Sequence, residues 1–111
     1  MHNRLPHHKL LAFEVAMQLL AAVRGAKIRD SGLRDQAMRA AKSACLNAAE
    51  GAGRVSRADK ARVFAIARAE AGEAAAAVEI AVAAGDADAE SLGAVLQHAD
   101  KFVAMMTGLI R

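Results

Sequence analysis

The chain has 111 residues, 55% of them apolar, with 15 Lys and Arg against 12 Asp and Glu for a net charge of +3. A chain of this length suits one domain and can bury roughly 65% of its unfolded surface. One cysteine, Cys45, excludes an internal disulfide and a cysteine-based zinc site. No uncharged apolar run reaches the ~18 residues of a membrane span, and Glu14 and Gln18 interrupt the early apolar run that a secretory signal would need. A cytoplasmic protein is expected.

The first helix is predicted over 7–26, with Leu10, Phe13, Met17 and Leu20 at helical spacing. Pro6 sits at its start, where a missing N–H costs nothing. Gly25, Asp30, Ser31 and Gly32 then break the pattern. A second helix over 33–50 carries Leu33, Ala37, Ala40, Ala44 and Ala48, with Asp30 or Ser31 as N-cap and Gly51 and Gly53 as its stop. Its end is the most informative stretch of the chain, because Asn47 and Glu50 stand at i and i+3 immediately before the glycines. Asn is a poor helix-interior residue, so a specific hydrogen bond is expected to hold it there.

Ser56 opens a third helix over 57–84, with Asp59 three residues on as a shortened capping box. Ala61, Phe64, Ala67, Ala71, Ala74, Val78 and Val82 form its stripe, and Gly85 ends it. Asp86 and Asp88 are expected to cap a fourth helix over 89–110, which carries Leu92, Leu96, Ala99, Val103, Met106 and Ile110. No strand-like alternation, linker or repeat is present. Short connections make neighbouring helices antiparallel, so the expected fold is all-α, an up-down-up-down antiparallel four-helix bundle forming one domain over 1–111. Thirty of the apolar residues are alanine, which adds helix propensity but little buried area. Apolar faces are therefore left over, and a homo-oligomer is expected to cover them.

The residues of bundle-borne metal chemistry are missing. A di-metal carboxylate site needs Glu-x-x-His motifs, but Val95 stands three residues before His98, and His2, His7 and His8 belong to the N-terminal region. His7 and His8 point about 100° apart on a helix and cannot share a ligand face. Glu70 and Glu73 do share a face of the third helix, but no nucleophile, histidine partner or phosphate loop accompanies them; Gly51-Ala52-Gly53 lacks the Lys-Ser/Thr of a P-loop. The expectation is a non-enzymatic protein with no metal and no cofactor. Cys45, among alanines in mid-helix, reads as a small buried hydrophobe.

Charge is unevenly divided. Residues 1–68 hold 13 Lys or Arg against 5 acids, and residues 69–111 hold 2 against 7, so +8 and −5 sum to +3. An acidic partner for the basic half, RNA or DNA, fits this skew, and so does charge-paired packing between subunits or with another protein. Arg39 and Lys42 on the second helix, with Arg54, Arg57, Lys60 and Arg62 around the next turn, are the candidate phosphate-binding residues.

The run Gln36, Arg39, Ala41, Ser43, Asn47, Ala49-Glu50-Gly51, Arg54 and Ser56 resembles the signature of bacterial four-helix-bundle proteins encoded by intervening sequences of large-subunit ribosomal RNA genes. The family pattern is similar to Gln-x-x-Arg-x-Ala-x-Ser-x-x-x-Asn-Ile-Ala-Glu-Gly-x-x-Arg, with Ala48 here in place of Ile. It continues at Lys60, Phe64, Ala67 and Glu73. The resemblance covers nearly the whole chain and is most specific over 36–73. It implies a bundle that assembles into a cyclic ring, a pentamer. A related branch comprises the accessory variability determinants of diversity-generating retroelements, which bind nucleic acid and a reverse transcriptase. No activity is implied for the wider family. Gln36, Ser43, Asn47, Glu50, Gly51 and Glu73 are its motif residues, and the simplest role for Glu50 is to pair with Arg54 or cap the turn. The chain departs from the family in lacking Trp and Tyr and the Phe-Pro of the first loop, which leaves little aromatic surface for stacking bases.

Overall fold

Helix-forming periodicity and cap chemistry produce four α-helices in a computed structural model that describes residues 5–111. These are α1 (Leu11–Gly25), α2 (Ser31–Gly53), α3 (Arg57–Ala83) and α4 (Leu92–Ile110), with short 3-10 turns at Pro6–Lys9 and Ala89–Ser91. Among the described residues there is no strand. Each helix packs on its neighbours in sequence, α4 closes onto α1, and α1 touches its diagonal partner α3 only lightly, so the helices run up, down, up and down around one core. The long dimension, 44 Å, is set by α3, whose 27 residues span about 40 Å.

Two expected N-caps form, but the capping box at Ser56 is only half made, because the Asp59 carboxylate turns to Arg54 and Arg62. The Asp30 carboxylate accepts from the Leu33 N–H at 2.9 Å, and the Ser56 hydroxyl oxygen accepts from the Asp59 N–H at 3.0 Å. Other local expectations are corrected. The first helix starts at Leu11 rather than at residue 7: Leu10 is extended (φ −96°, ψ 109°), which turns the preceding 3-10 segment onto α2. His7 there lies edge-on against Phe13, with ring centres 4.8 Å apart. The fully buried stripe of α1 is Ala12, Val15, Ala16, Leu19 and Val23; of the expected series Leu10, Phe13 and Leu20 are partly buried and pack against the core, while Met17 is exposed. The fourth helix begins at Leu92, and Asp88 makes no side-chain cap. Its carboxylate faces Arg29 at 3.5 Å, and Arg29 also donates to the Gly85 carbonyl at 2.8 Å. A backbone bond from the Arg29 N–H to the Asp86 carbonyl (2.7 Å) completes this link between the α1–α2 and α3–α4 loops.

The core has two textures. Between α2 and α3 it is mostly alanine: α2 contributes Ala37, Ala40, Ala41, Ala44 and Ala48 and α3 contributes Ala67, Ala71 and Ala74, all with no exposed surface. Between α1 and α4 it is filled by Leu19, Val15, Val95, Phe102 and Met106. The second helix does not stop at Gly51 but runs on to Gly53. Gly51 is there for closeness of approach, since a Cβ on it would lie 2.6 Å from the Phe64 ring. Cys45 is buried, and burial pushes its thiol up to about 11.

Candidate functional site

The motif residues converge on the α2–α3 seam and the corner that joins the two helices. Asn47, in mid-helix, donates from its amide to the Ser43 carbonyl (2.9 Å) and hydroxyl (3.1 Å) one turn earlier, the bond its presence in a helix requires. Glu50 accepts from Arg54 at 2.7 Å, and the same guanidinium reaches Asp59 at 3.1 Å. Asp59 also receives Arg62 at 2.9 Å. Arg54 is held above its usual value, first by the hydrogen bond to Glu50 and then by the Asp59 charge. The Asp59 carboxyl is held below its usual range, chiefly by the bond from Arg62, with the Arg54 charge adding to it. The corner is thus a chain of alternating charges, Glu50, Arg54, Asp59 and Arg62, built from residues close in sequence.

Lys60 has a different local task. Its ammonium donates to the carbonyls of Gly51 (3.3 Å) and Ala52 (2.9 Å) at the C-terminal end of α2, the Gly51 carbonyl also accepting from the Arg54 N–H at 3.2 Å. Arg57 donates to the Arg111 carbonyl at 2.5 Å and ties the corner to the end of α4. Arg39, further down α2, crosses the seam to Glu70 (3.2 Å) and Glu73. Glu70 and Glu73 therefore do share a face, and what they share is a guanidinium.

Of the six candidate phosphate-binding residues, the structure gives Arg39, Arg54 and Arg62 carboxylate partners within the chain. It gives Arg57 and Lys60 carbonyl partners. Lys42 alone has no hydrogen-bond or ion-pair partner among the described residues. Gln36 is exposed one turn from the α2 N-terminus. Three further cations, Arg24, Lys27 and Arg34, were not distinguished by the sequence and lie together at the α1–α2 corner.

Among the described residues no three His, Cys, Asp or Glu side chains gather to hold a metal ion, and no helix is long and apolar enough to cross a membrane. The surface instead offers apolar side chains: Val55 is 97% exposed, Leu46 70% and Ile80 55%. Residues 9–108 match the model of a family described as 23S rRNA-intervening sequence protein. No curated protein matches the chain.

Proposed function

Because the chain belongs to the 23S rRNA-intervening sequence protein family, we propose that it is a non-enzymatic, cytoplasmic scaffold that assembles with copies of itself into a ring, a cyclic pentamer, and holds RNA or DNA on its basic side. The observation that supports this best is unspent apolar surface of complementary charge. A concavity of about 700 Å³ runs between α3 and α4, lined by Gly72, Ala75, Gly93, Leu96 and Val103 together with the carboxylates Glu79 and Asp100. At the α2–α3 corner Val55 stands clear of the bundle between Arg54 and Arg57. The apolar Val55 knob fits the apolar groove, and of its two neighbouring cations Arg57, which has no carboxylate partner among the described residues, is the one left for Glu79 or Asp100, since Arg54 is paired with Glu50 and Asp59. The two surfaces differ, so the contact is heterologous and closes into a ring when the rotation permits. Light scattering should give a multiple of the 11.6 kDa chain mass, and Val55→Asp or Leu96→Glu should each shift it to smaller species. A monomer at micromolar concentration would contradict the assembly.

Nucleic-acid binding draws on the excess of cations in residues 1–68, repeated around the ring. Phosphate contacts of this kind give affinity with little sequence preference. Anisotropy with generic RNA and DNA should show binding that weakens roughly 10³-fold or more between about 50 and 200 mM salt. The internal pairing of Arg39, Arg54 and Arg62 favours a second reading, in which the ring is an interaction hub for another protein. No nucleic-acid binding at the lower salt would move that reading to the front.

A further inference from the structure

We propose that the concavity at the α1–α2 corner is a nucleotide-binding site which, on the nucleic-acid reading above, takes one unit of a single strand. The cavity holds about 240 Å³ and is lined by Val23, Arg24, Lys27, Ile28, Arg34 and Met38. Its floor is apolar, with Val23 2% and Ile28 3% exposed, and its polar lining is entirely cationic. No carboxylate lines it, and among the described residues Arg24, Lys27 and Arg34 form no ion pair. This is the reverse of the α2–α3 corner, where most guanidinium groups already have a carboxylate.

Helix electrostatics account for two of the three cations. Arg24 is in the last turn of α1 and Lys27 lies just beyond it, where positive charge is favoured. Arg34 is near the N-terminal end of α2, where positive charge is disfavoured. It is nevertheless fixed there, donating to the Ile28 carbonyl at 3.3 Å and keeping its other N–H groups for a ligand. Lys27 holds a left-handed backbone (φ 50°), a conformation that costs energy for any residue with a Cβ.

Three cations over an apolar floor match a ligand that is anionic at one end and flat and weakly polar at the other. A nucleotide has that chemistry. Lys27 supplies a point charge for the phosphate, and a guanidinium can bond phosphate or stack on a base. The Met38 thioether makes favourable contact with an aromatic ring, which matters in a chain without Trp or Tyr. A base enters such a cavity only when unstacked, which selects single strands. Met38 also lines the adjoining concavity, where the cations Arg39 and Lys42 stand with one carboxylate, Asp35. Arg34, Met38 and Lys42 stand at i, i+4 and i+8, so Lys42 lies about 12 Å along α2 and can meet a neighbouring phosphate.

The test uses the full chain and its Arg24→Gln/Lys27→Gln/Arg34→Gln variant, with helicity checked by circular dichroism. Uridine 5′-monophosphate should shift the methyl NMR signals of Val23, Ile28 and Met38 in the parent and not in the variant. A fluorescein-labelled oligouridine should bind the variant at least tenfold more weakly at about 50 mM salt, with a salt slope shallower by about 2. Absent methyl shifts, or equal shifts in both proteins, would overturn the site. So would inorganic phosphate acting as strongly as the nucleotide, because the apolar floor would then have no part in binding. Methyl shifts with the mononucleotide but no oligouridine binding would uphold the site and refute the scaffold reading. Unweakened oligouridine binding by the variant, without methyl shifts, would do the opposite.

Discussion

The two halves of the core reach the same end by different means. On the α2–α3 side the buried residues are mostly alanine and one glycine meets a ring; on the α1–α4 side the buried side chains are larger. The first design stabilises by closeness and many small contacts, the second by apolar volume withdrawn from water. The halves should therefore fail in opposite ways, one to added atoms and the other to deleted ones.

The largest effect is expected from deletion on the α1–α4 side. Phe102 is fully buried, and Phe102→Ala should destabilise by about 3–5 kcal/mol in denaturant unfolding. A loss under about 1 kcal/mol would mean that the bundle collapses around the hole and that the two halves are not distinct. Addition on the α2–α3 side comes next. Gly51→Ala places a methyl group 2.6 Å from Phe64, so a cost of about 1–3 kcal/mol is expected although alanine is the better helix former. Adding Phe64→Leu should recover part of that loss. A gain in stability from Gly51→Ala would show that the seam can open freely.

The smallest effect concerns the charged corner outside the seam. Asp59 has a lowered carboxyl value in the folded chain, so its contribution is present above the unfolded value near 4 and is lost as pH falls through the folded one. Asp59→Asn should lower the melting temperature at pH 6, and the difference from the parent should shrink as the pH is brought below about 4. A difference independent of pH would assign the residue a packing role instead.

Much of the bundle could be read before any coordinates. Apolar spacing, Asp30, Ser56 and the glycines located the helices, because caps and periodicity act over three or four residues. The errors arose where one signal serves two purposes. Gly51 has the signature of a helix stop, yet its role is set by Phe64 on the next helix. Leu10, Phe13, Met17 and Leu20 are spaced as a core stripe. Leu10, Phe13 and Leu20 reach only the edge of the core and Met17 is exposed, while the smaller Ala12 and Ala16 are fully buried, since the distance between helices decides which side chains fit. Val95 and Phe102 were passed over for their sequence neighbours Leu96 and Val103, which lie outside the core centre.

The candidate site was legible in composition and illegible in pairing. An excess of cations can be counted, but Arg39 meets Glu70 and Glu73 across 31 and 34 residues, and no local pattern announces that. Arg24, Lys27 and Arg34 sit on three successive segments and resemble ordinary surface charge until the corner brings them around one cavity. The helices, their order, the Glu50–Arg54 pair and the family follow from the residues alone, because each depends on neighbours within a few turns. Helix packing settles which cations keep no carboxylate partner and which apolar residues stay outside the core. Those outcomes depend on the distances between helices, which packing sets and no single segment encodes.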